Sequence, residues 1–227
     1  MADFSWRDAV PFGIVMFVGT ILGWLKRRAG RSLARRGYPQ LARELGLSFV
    51  PPRYPRGLGT LKGQIRGHRV LVDPDESARV VVWFGEPSPL DLRSYAHWKR
   101  LPPDYAPFSM ADRALDRWLS SRLVKHSADL EPILDDRFRE LLKQVMNQGR
   151  ELRQFALDAE RIEARFEFGS PPYVPPGLIR ELLPLLVELV VHIERGQFTT
   201  DERLTTKKDE RGLSSDRDAG SRNSRYR

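Results

Sequence analysis

The feature that most constrains this chain is an uncharged apolar run near its start. Residues Ala9 to Leu25 carry no charged side chain, and eleven of these seventeen residues are large and apolar. A transmembrane helix needs roughly 17 to 25 such residues to cross a hydrocarbon core of about 30 Å. Trp6 and Trp24 suit the two membrane interfaces, where tryptophan is enriched. The run predicts a single transmembrane helix after a short outside tail of residues 1–8, with a buried core helix and an interfacial helix as the alternatives.

The charges that follow this run set its expected orientation. Six basic residues come next without an acidic counterpart nearby, namely Lys26, Arg27, Arg28, Arg31, Arg35 and Arg36. A cleavable signal peptide would carry its positive charge before the apolar run, so retention as an anchor is favoured. Because basic flanks stay in the cytoplasm, we expect a single-pass protein of the cell (inner) membrane, with its N-terminus outside and its domain cytoplasmic.

Two glycines give the predicted membrane helix a candidate contact with another helix. Gly19 and Gly23 form a GxxxG pair, and small residues at this spacing let two membrane helices pack closely. The pair suggests a homodimer through the transmembrane helix. Glycine is also common in membrane helices, so incidental glycines are the alternative.

The formal net charge of +8 is concentrated in one stretch. Residues 26–69 contain twelve lysines and arginines and a single acidic residue, Glu44. We interpret residues 26–38 as a basic juxtamembrane flank whose partner is the anionic leaflet of the lipid bilayer, at roughly 1 kcal/mol for each basic residue near the surface. Nucleic-acid binding is less favoured, because residues 70–198 are net acidic and a continuous basic face would be needed.

Short runs rich in β-branched residues, separated by glycine and proline, predict a largely antiparallel sheet. The alternation of Ile162, Ala164, Phe166 and Phe168 with charged residues is typical of a half-buried strand. Its expected hairpin partner is Leu152–Leu157. The other expected strands are Gly59–Ile65, His68–Asp73 and Arg79–Phe84 as a meander, Leu90–Tyr95 as a fourth strand, and Asp116–Val124.

Helical periodicity and capping residues predict two to three helices in the domain. The expected helices are Pro39–Leu45, Asp136–Asn147 with Asp135 as N-cap, and Leu178–Arg195, which is stopped at Gly196. The fold class is therefore α+β, with one transmembrane helix followed by a soluble domain over residues 39–196. Residues 197–227 alternate charged and small polar residues without an apolar period, which predicts a disordered polar tail.

The sequence lacks the common motifs of catalytic and metal sites. It has no cysteine, no HExxH, and no GxSxG, GxxxxGK[ST] or GxGxxG motif, so we assign no catalytic, cofactor or metal-binding residue. The glycines close together in sequence fit strand ends and turns better than a phosphate loop; they are Gly57, Gly59, Gly63 and Gly67. Three polar pairs are weaker candidates, each with a structural alternative as a turn, a cap or a contact: Asp73 with Asp75, Asp135 with Asp136, and Glu188 with His192.

The central part of the chain resembles a bacterial domain of unknown function. The resemblance rests on the run ALDRWLSSRLVKHSADLEPILDDRFRELLKQV, from Ala114 to Val145, and on LARELGL and GTLKGQIRGHRVLV before it. It covers residues 40–195. It implies a membrane segment joined to a soluble α+β region and carries no catalytic residue across. Leu115 and Trp118 stand where the resemblance would place phenylalanines.

These observations favour a non-enzymatic, membrane-tethered interaction or regulatory module with an unknown protein partner. The alternative is a membrane-associated enzyme of unknown reaction, whose site is assembled from scattered polar residues. A deep polar pocket lined by histidines and carboxylates would favour the enzyme, and a flat surface would count against it.

Overall fold

The computed structural model describes Thr20 and residues 29–55, 57–75, 78–94, 109–123, 130–148, 152–166 and 173–219. Within these ranges the chain has an α+β fold. Four helices are described: α1 (residues 29–44), α2 (Arg113–Trp118), α3 (Asp136–Asn147) and α4 (Pro176–Ala219). The strands are β1 (Ser48–Val50), β2 (Thr60–Ile65), β3 (His68–Asp73), β4 (Arg79–Trp83), β5 (Leu90–Ser94), β6 (Leu119–Leu123), β7 (Leu152–Leu157) and β8 (Arg161–Phe166).

The eight strands form one sheet in the order β1-β2-β3-β4-β8-β7-β5-β6, and all the pairings are antiparallel. The predicted meander is confirmed as β2-β3-β4, and the predicted hairpin is confirmed as β7-β8. The expected fourth strand, β5, does not lie beside β4. The β7-β8 hairpin is inserted between them, so the sheet pairs segments that are far apart in the sequence.

One face of the sheet packs against the helices. Its side chains, among them Val70, Val82, Ile162 and Phe155, belong to one hydrophobic core together with apolar residues of α1, α3 and α4. Val81 and Ala156 are also buried, but they point to the opposite face and lie outside this core. The sheet therefore has an apolar face that packs under the helices, and a second face that lies outside this hydrophobic core.

Two predicted elements need correction. Residues 116–118, expected to begin a strand, lie in α2, because Asp112 caps this helix by accepting hydrogen bonds from the backbone N–H groups of Ala114 and Leu115; β6 begins only at Leu119. The helix expected to begin at Pro39 already includes residue 29, so part of the predicted basic flank is helical.

The last helix also differs from its prediction. Gly196 was expected to stop it, yet α4 continues to Ala219, through most of the tail predicted to be disordered; residues 220–227 lie outside the described ranges. Gly196 has a packing role instead. A β-carbon at this position would lie 2.7 Å from Cγ1 of Ile133, so glycine lets the helix approach the segment before α3.

None of the helices in the described ranges combines the length and the hydrophobicity that a membrane crossing requires. The predicted span from Ala9 to Leu25, including Gly19 and Gly23, lies outside these ranges except for Thr20, which is helical. The predicted span therefore stays a prediction.

Candidate functional site

Two of the three described basic residues in the predicted flank contact the domain. Arg31 forms an ion pair with Asp75 at 3.1 Å, and Arg35 donates a hydrogen bond of 3.0 Å to the carbonyl of Pro55. Arg31, which has no acidic neighbour in the sequence, therefore has an acidic partner from another part of the fold. Arg36 is exposed. Lys26, Arg27 and Arg28, the other predicted lipid contacts, lie outside the described ranges.

A buried tyrosine holds the middle of α1. The Tyr38 side chain is fully buried, and its hydroxyl donates a hydrogen bond to the carbonyl of Val174, just before α4. Burial, with smaller contributions from the negative charge of Asp75 and from Tyr173, raises the pKa of Tyr38 well above its usual range. The phenol therefore stays protonated in the folded protein and remains a donor.

The C-terminal end of α1 is tied to α4. Arg180 donates two hydrogen bonds, of 3.0 and 2.7 Å, to one carboxylate oxygen of Glu44. The hydrogen bond from Arg180, followed by one from Gln40, lowers the pKa of Glu44. Because this pair is exposed, its contribution to stability is small.

Two glycines allow α1 to approach the start of α4 closely. A β-carbon at Gly30 would lie 2.7 Å from the hydroxyl oxygen of Tyr173, and one at Gly37 would lie 3.0 Å from Cγ of Pro176. These positions are seven residues apart, two helical turns, and so share one face of α1. Together with the polar contacts, they fasten α1 to the domain along its length.

The polar pairs noted in the sequence have mainly structural roles. Asp135 caps α3 by accepting a hydrogen bond of 2.8 Å from the backbone N–H of Phe138, as predicted. The Nε2 of His192 lies 3.0 Å from Oδ1 of Asp135. Glu188 forms an ion pair with Arg137. Glu188 and His192 are therefore not paired with each other, and each makes a separate structural contact between α4 and the α3 region.

Asp75 also acts structurally, and without Asp73 as a partner. Besides Arg31, its carboxylate accepts a hydrogen bond of 2.5 Å from the backbone N–H of Leu58. It thereby joins the turn after β3, the segment before β2, and α1. Gly59, in that segment, has a φ of +86°, and a β-carbon there would lie 2.7 Å from the Phe49 ring, so this glycine serves a tight turn and close packing.

A histidine and a glutamate missed by the sequence reasoning meet at the core face. His68 is 9% exposed, and its Nε2 lies 3.6 Å from an oxygen of Glu194 on α4. The other Glu194 oxygen accepts a hydrogen bond of 2.7 Å from the backbone N–H of Gly85. The arrangement holds the loop after β4 against α4, and no sequence motif links these three residues.

The second face of the sheet carries a concentration of arginines. Across the β4-β8 pairing, Arg79 lies directly opposite Arg165, and Trp83 lies opposite Arg161. Arg69 on β3 stacks over the Trp83 ring, with its guanidinium carbon 3.9 Å from a ring centroid. Directly opposed like charges destabilise a sheet unless another group compensates them, so this face requires a counter-charge.

Glu163, between Arg161 and Arg165 on β8, supplies that counter-charge. It is only 5% exposed. Its carboxylate lies 2.5 Å from Nε of Arg165, 3.5 Å from Nη2 of Arg161 and 3.8 Å from Nη1 of Arg79. A buried carboxylate is tolerated when it is paired and hydrogen-bonded in this way.

A pocket of about 70 Å³ opens beside this carboxylate. Its lining comes from β5, β7, β8 and the β7-β8 turn, and consists of Arg93, Gln154, Ala156, Asp158, Arg161, Glu163 and Arg165. The sequence signal was present in the alternation of charged residues along β8, but it was interpreted only as the solvent-facing side of a strand. The contribution of β5 could not be foreseen, because it depends on the insertion of the hairpin beside that strand.

Metal binding has no support in the part of the chain that the structure describes, where no three histidine, aspartate or glutamate side chains are grouped as ligands. His97 and His126 lie outside that part. The described candidates for function are therefore the docked basic helix α1 and the arginine-rich face of the sheet.

Comparisons with known proteins give little further guidance. No family model matches the chain, and no curated protein matches it, so the resemblance to a bacterial domain of unknown function stays a prediction. Among solved structures, the chain is similar to the crystal structure of the mycobacterial trehalose monomycolate transport factor A, TtfA. The match has 13% sequence identity and a TM-score of 0.46, and covers 72% of this chain and 93% of that one.

Proposed function

We propose that this chain is a single-pass, membrane-tethered interaction or regulatory module, with its α+β domain on the cytoplasmic face of the cell membrane. The observation that carries the proposal is the docking of α1. Only residues 26–28 separate Leu25, the end of the predicted span, from residue 29 in α1. A helix fastened to the domain so soon after a membrane anchor would set both the distance and the orientation of the domain at the bilayer.

The contacts of α1 support a rigid attachment. Arg31, Tyr38 and Glu44 lie about two helical turns apart and tie α1 to three different parts of the domain. Ala34 and Leu41 enter the hydrophobic core. Burial of these side chains gives α1 a stability that its isolated helix propensity would not provide. Arg36 remains exposed and suits contact with anionic lipid.

The arginine-rich pocket favours binding over acid–base catalysis. It contains the carboxylates of Asp158 and Glu163 but no histidine, and its remaining charged groups are guanidinium groups. Arginine stays protonated in proteins and so does not exchange protons with a substrate near neutral pH. Both carboxylates lie beside guanidinium groups, which favour their charged form. Turnover of a substrate by the purified chain, or stoichiometric binding of a metal, would contradict the proposal.

The decisive experiment is fractionation of cells that express the chain with a reporter at its C-terminus. We expect the chain to remain in membranes washed with high salt and with carbonate, and the reporter signal to come from the cytoplasmic side. Release of the intact chain into the soluble fraction would mean that Ala9 to Leu25 does not span the membrane.

A pair of substitutions sharpens this test. Phe17→Arg places a charge within the predicted span, where arginine costs roughly 2.5 to 3.5 kcal/mol on insertion scales, so we expect loss of wash-resistant membrane association. Leu33→Arg is the matched control, because Leu33 is 69% exposed on α1 and lies beyond the predicted span. Equal behaviour of the two variants would contradict the anchor.

A further inference from the structure

We propose that the pocket beside Glu163 binds one oxyanion group, a phosphate or a carboxylate, through Arg161 and Arg165. The proposal concerns the second face of the sheet and does not depend on the membrane anchor. Arg161 and Arg165 are 37% and 48% exposed, so a solute can reach both side chains.

The arginines beside Glu163 carry more hydrogen-bond donors than this carboxylate can accept. Each guanidinium has five N–H groups, whereas a carboxylate has about four acceptor positions. The buried carboxylate of Glu163 is shared by Arg79, Arg161 and Arg165, but only the Arg165 contact has hydrogen-bond geometry. Arg79 does not line the pocket, and its Nε is buried, so the donors open to a solute belong to Arg161 and Arg165. The Nε of Arg161 also lies 3.7 Å from Oδ2 of Asp158, which is longer than a hydrogen bond. Most N–H groups of Arg161 and Arg165 are therefore available to a further acceptor.

The two carboxylates of the pocket, Asp158 and Glu163, already have partners within the protein. Asp158 accepts hydrogen bonds of 2.9 and 3.0 Å from the backbone N–H groups of Glu160 and Arg161, which closes the β7-β8 turn. Glu163 is held by the arginines. A cation entering the pocket would have to compete with these bonds, whereas an anion would use donors that remain open.

The size and lining of the pocket also suit a small anion. The pocket volume of about 70 Å³ is several times the roughly 10–15 Å³ that one water molecule requires, which suits one small ionic group. Ala156, with 7% exposure, contributes an apolar wall. Arginine forks are well matched to the oxygens of phosphate and carboxylate.

The test measures thermal unfolding of the purified full chain in an uncharged detergent. Sodium phosphate is titrated to about 10 mM, which is ten times a Kd of about 1 mM and would nearly saturate a weak site. Sodium chloride of equal ionic strength is the control. Sodium acetate is the carboxylate probe. We expect phosphate, acetate or both to raise the Tm in a saturable way that chloride does not reproduce. An equal response to chloride would overturn the proposal.

Variants locate the site. Arg161→Gln should weaken anion binding about tenfold or more, because a hydrogen bond to a charged group is lost. Lys62→Gln removes the same charge from an exposed position on the same face and should leave binding unchanged. If Arg161→Gln and Lys62→Gln respond alike, general attraction to the face explains the result and the proposal fails.

Glu163→Gln provides a second test, whose outcome does not depend on whether the Arg161→Gln variant folds. Neutralising this carboxylate frees guanidinium groups and removes a repelling charge, so we expect tighter anion binding, by about tenfold. Weaker or unchanged binding in a folded Glu163→Gln variant would overturn the proposal.

A competition experiment distinguishes a lipid headgroup from a soluble anion as the source of the bound group. Vesicles with phosphomonoester headgroups are compared with neutral vesicles for their ability to displace free phosphate from the full chain. Displacement by the anionic vesicles identifies a lipid headgroup as a source that fits the pocket. Retention of phosphate in their presence identifies a soluble anion, and the site itself is supported in either case.

Discussion

Replacing Tyr38 with phenylalanine is the sharpest test of how α1 is fastened to the domain. The substitution removes one oxygen atom and keeps the ring, so it leaves almost no cavity in a site where the side chain is fully buried. What is lost is the hydrogen bond to the carbonyl of Val174, itself a buried residue. An unsatisfied buried acceptor costs about 1 to 3 kcal/mol, and we expect the free energy of unfolding to fall by that amount.

The assay is denaturant unfolding of the full chain, with Tyr54→Phe as the matched control. Tyr54 is 72% exposed, so its hydroxyl is solvated and its removal should change stability by no more than about 0.5 kcal/mol. In a thermal experiment the Tyr38→Phe loss corresponds to about 2 to 4 °C for each kcal/mol. If the two variants were equally stable, the bond to Val174 would not contribute to the docking of α1.

Three further predictions test other parts of the structure. Gly196→Ala should be less stable than Gly177→Ala by about 1 to 3 kcal/mol in denaturant unfolding, because only the first meets close contacts; equal stability would contradict the packing role of Gly196. Asp135→Ala should cost about 1 kcal/mol through loss of the α3 cap, whereas Asp136→Ala, at an exposed first-turn position, should cost less by the same assay. Alkaline pH should destabilise the wild type more than Tyr38→Phe. Burial raises the folded-state pKa of Tyr38 above that of the unfolded chain. The contribution of the protonated hydroxyl to stability is therefore complete below the unfolded-state pKa of about 10, and it declines as pH rises above that value. The unfolding midpoints of the wild type and of Tyr38→Phe should therefore converge between about pH 8 and pH 11. A constant difference between the two midpoints over this range would contradict the linkage.

The sequence predicted best those elements that depend on local pattern. The bounds of α3 and β7 agree with the prediction, because the helix has an apolar stripe with Asp135 before it and the strand lies beside a clear alternation in β8. The apolar stripe of α3 and the alternation along β8 each lie within about a dozen consecutive residues. Local periodicity and capping therefore determined these elements.

The errors arose where long-range contacts overrode local signals. Gly196 has the appearance of a helix end, but its missing β-carbon is needed for contact with Ile133, sixty-three residues earlier. Gly30 and Gly37 belong to the stretch interpreted only as a basic juxtamembrane flank, yet they form the contact between α1 and the start of α4. A glycine that serves close packing cannot be distinguished by sequence from one that ends an element.

The arginine-rich pocket was missed for a related reason. Arg161, Glu163 and Arg165 alternate along one strand, and the alternation correctly indicated that they share a face. The sequence could not reveal that Arg79 would lie opposite Arg165, or that Arg93 would join the same pocket, because both facts follow from strand order and register. A functional site built across a sheet is visible only after the strands have been paired.

The two proposals concern opposite faces of the sheet and can be tested separately. Tyr38 contributes to the core between α1 and the apolar face, whereas Arg161 belongs to the second face, with the sheet between them. Substitutions at distant sites without shared partners act additively to within about 0.3 to 0.5 kcal/mol. Tyr38→Phe should therefore lower stability without changing anion affinity, and Arg161→Gln should lower anion affinity without releasing the chain from membranes. Coupling between the two effects would contradict this independence.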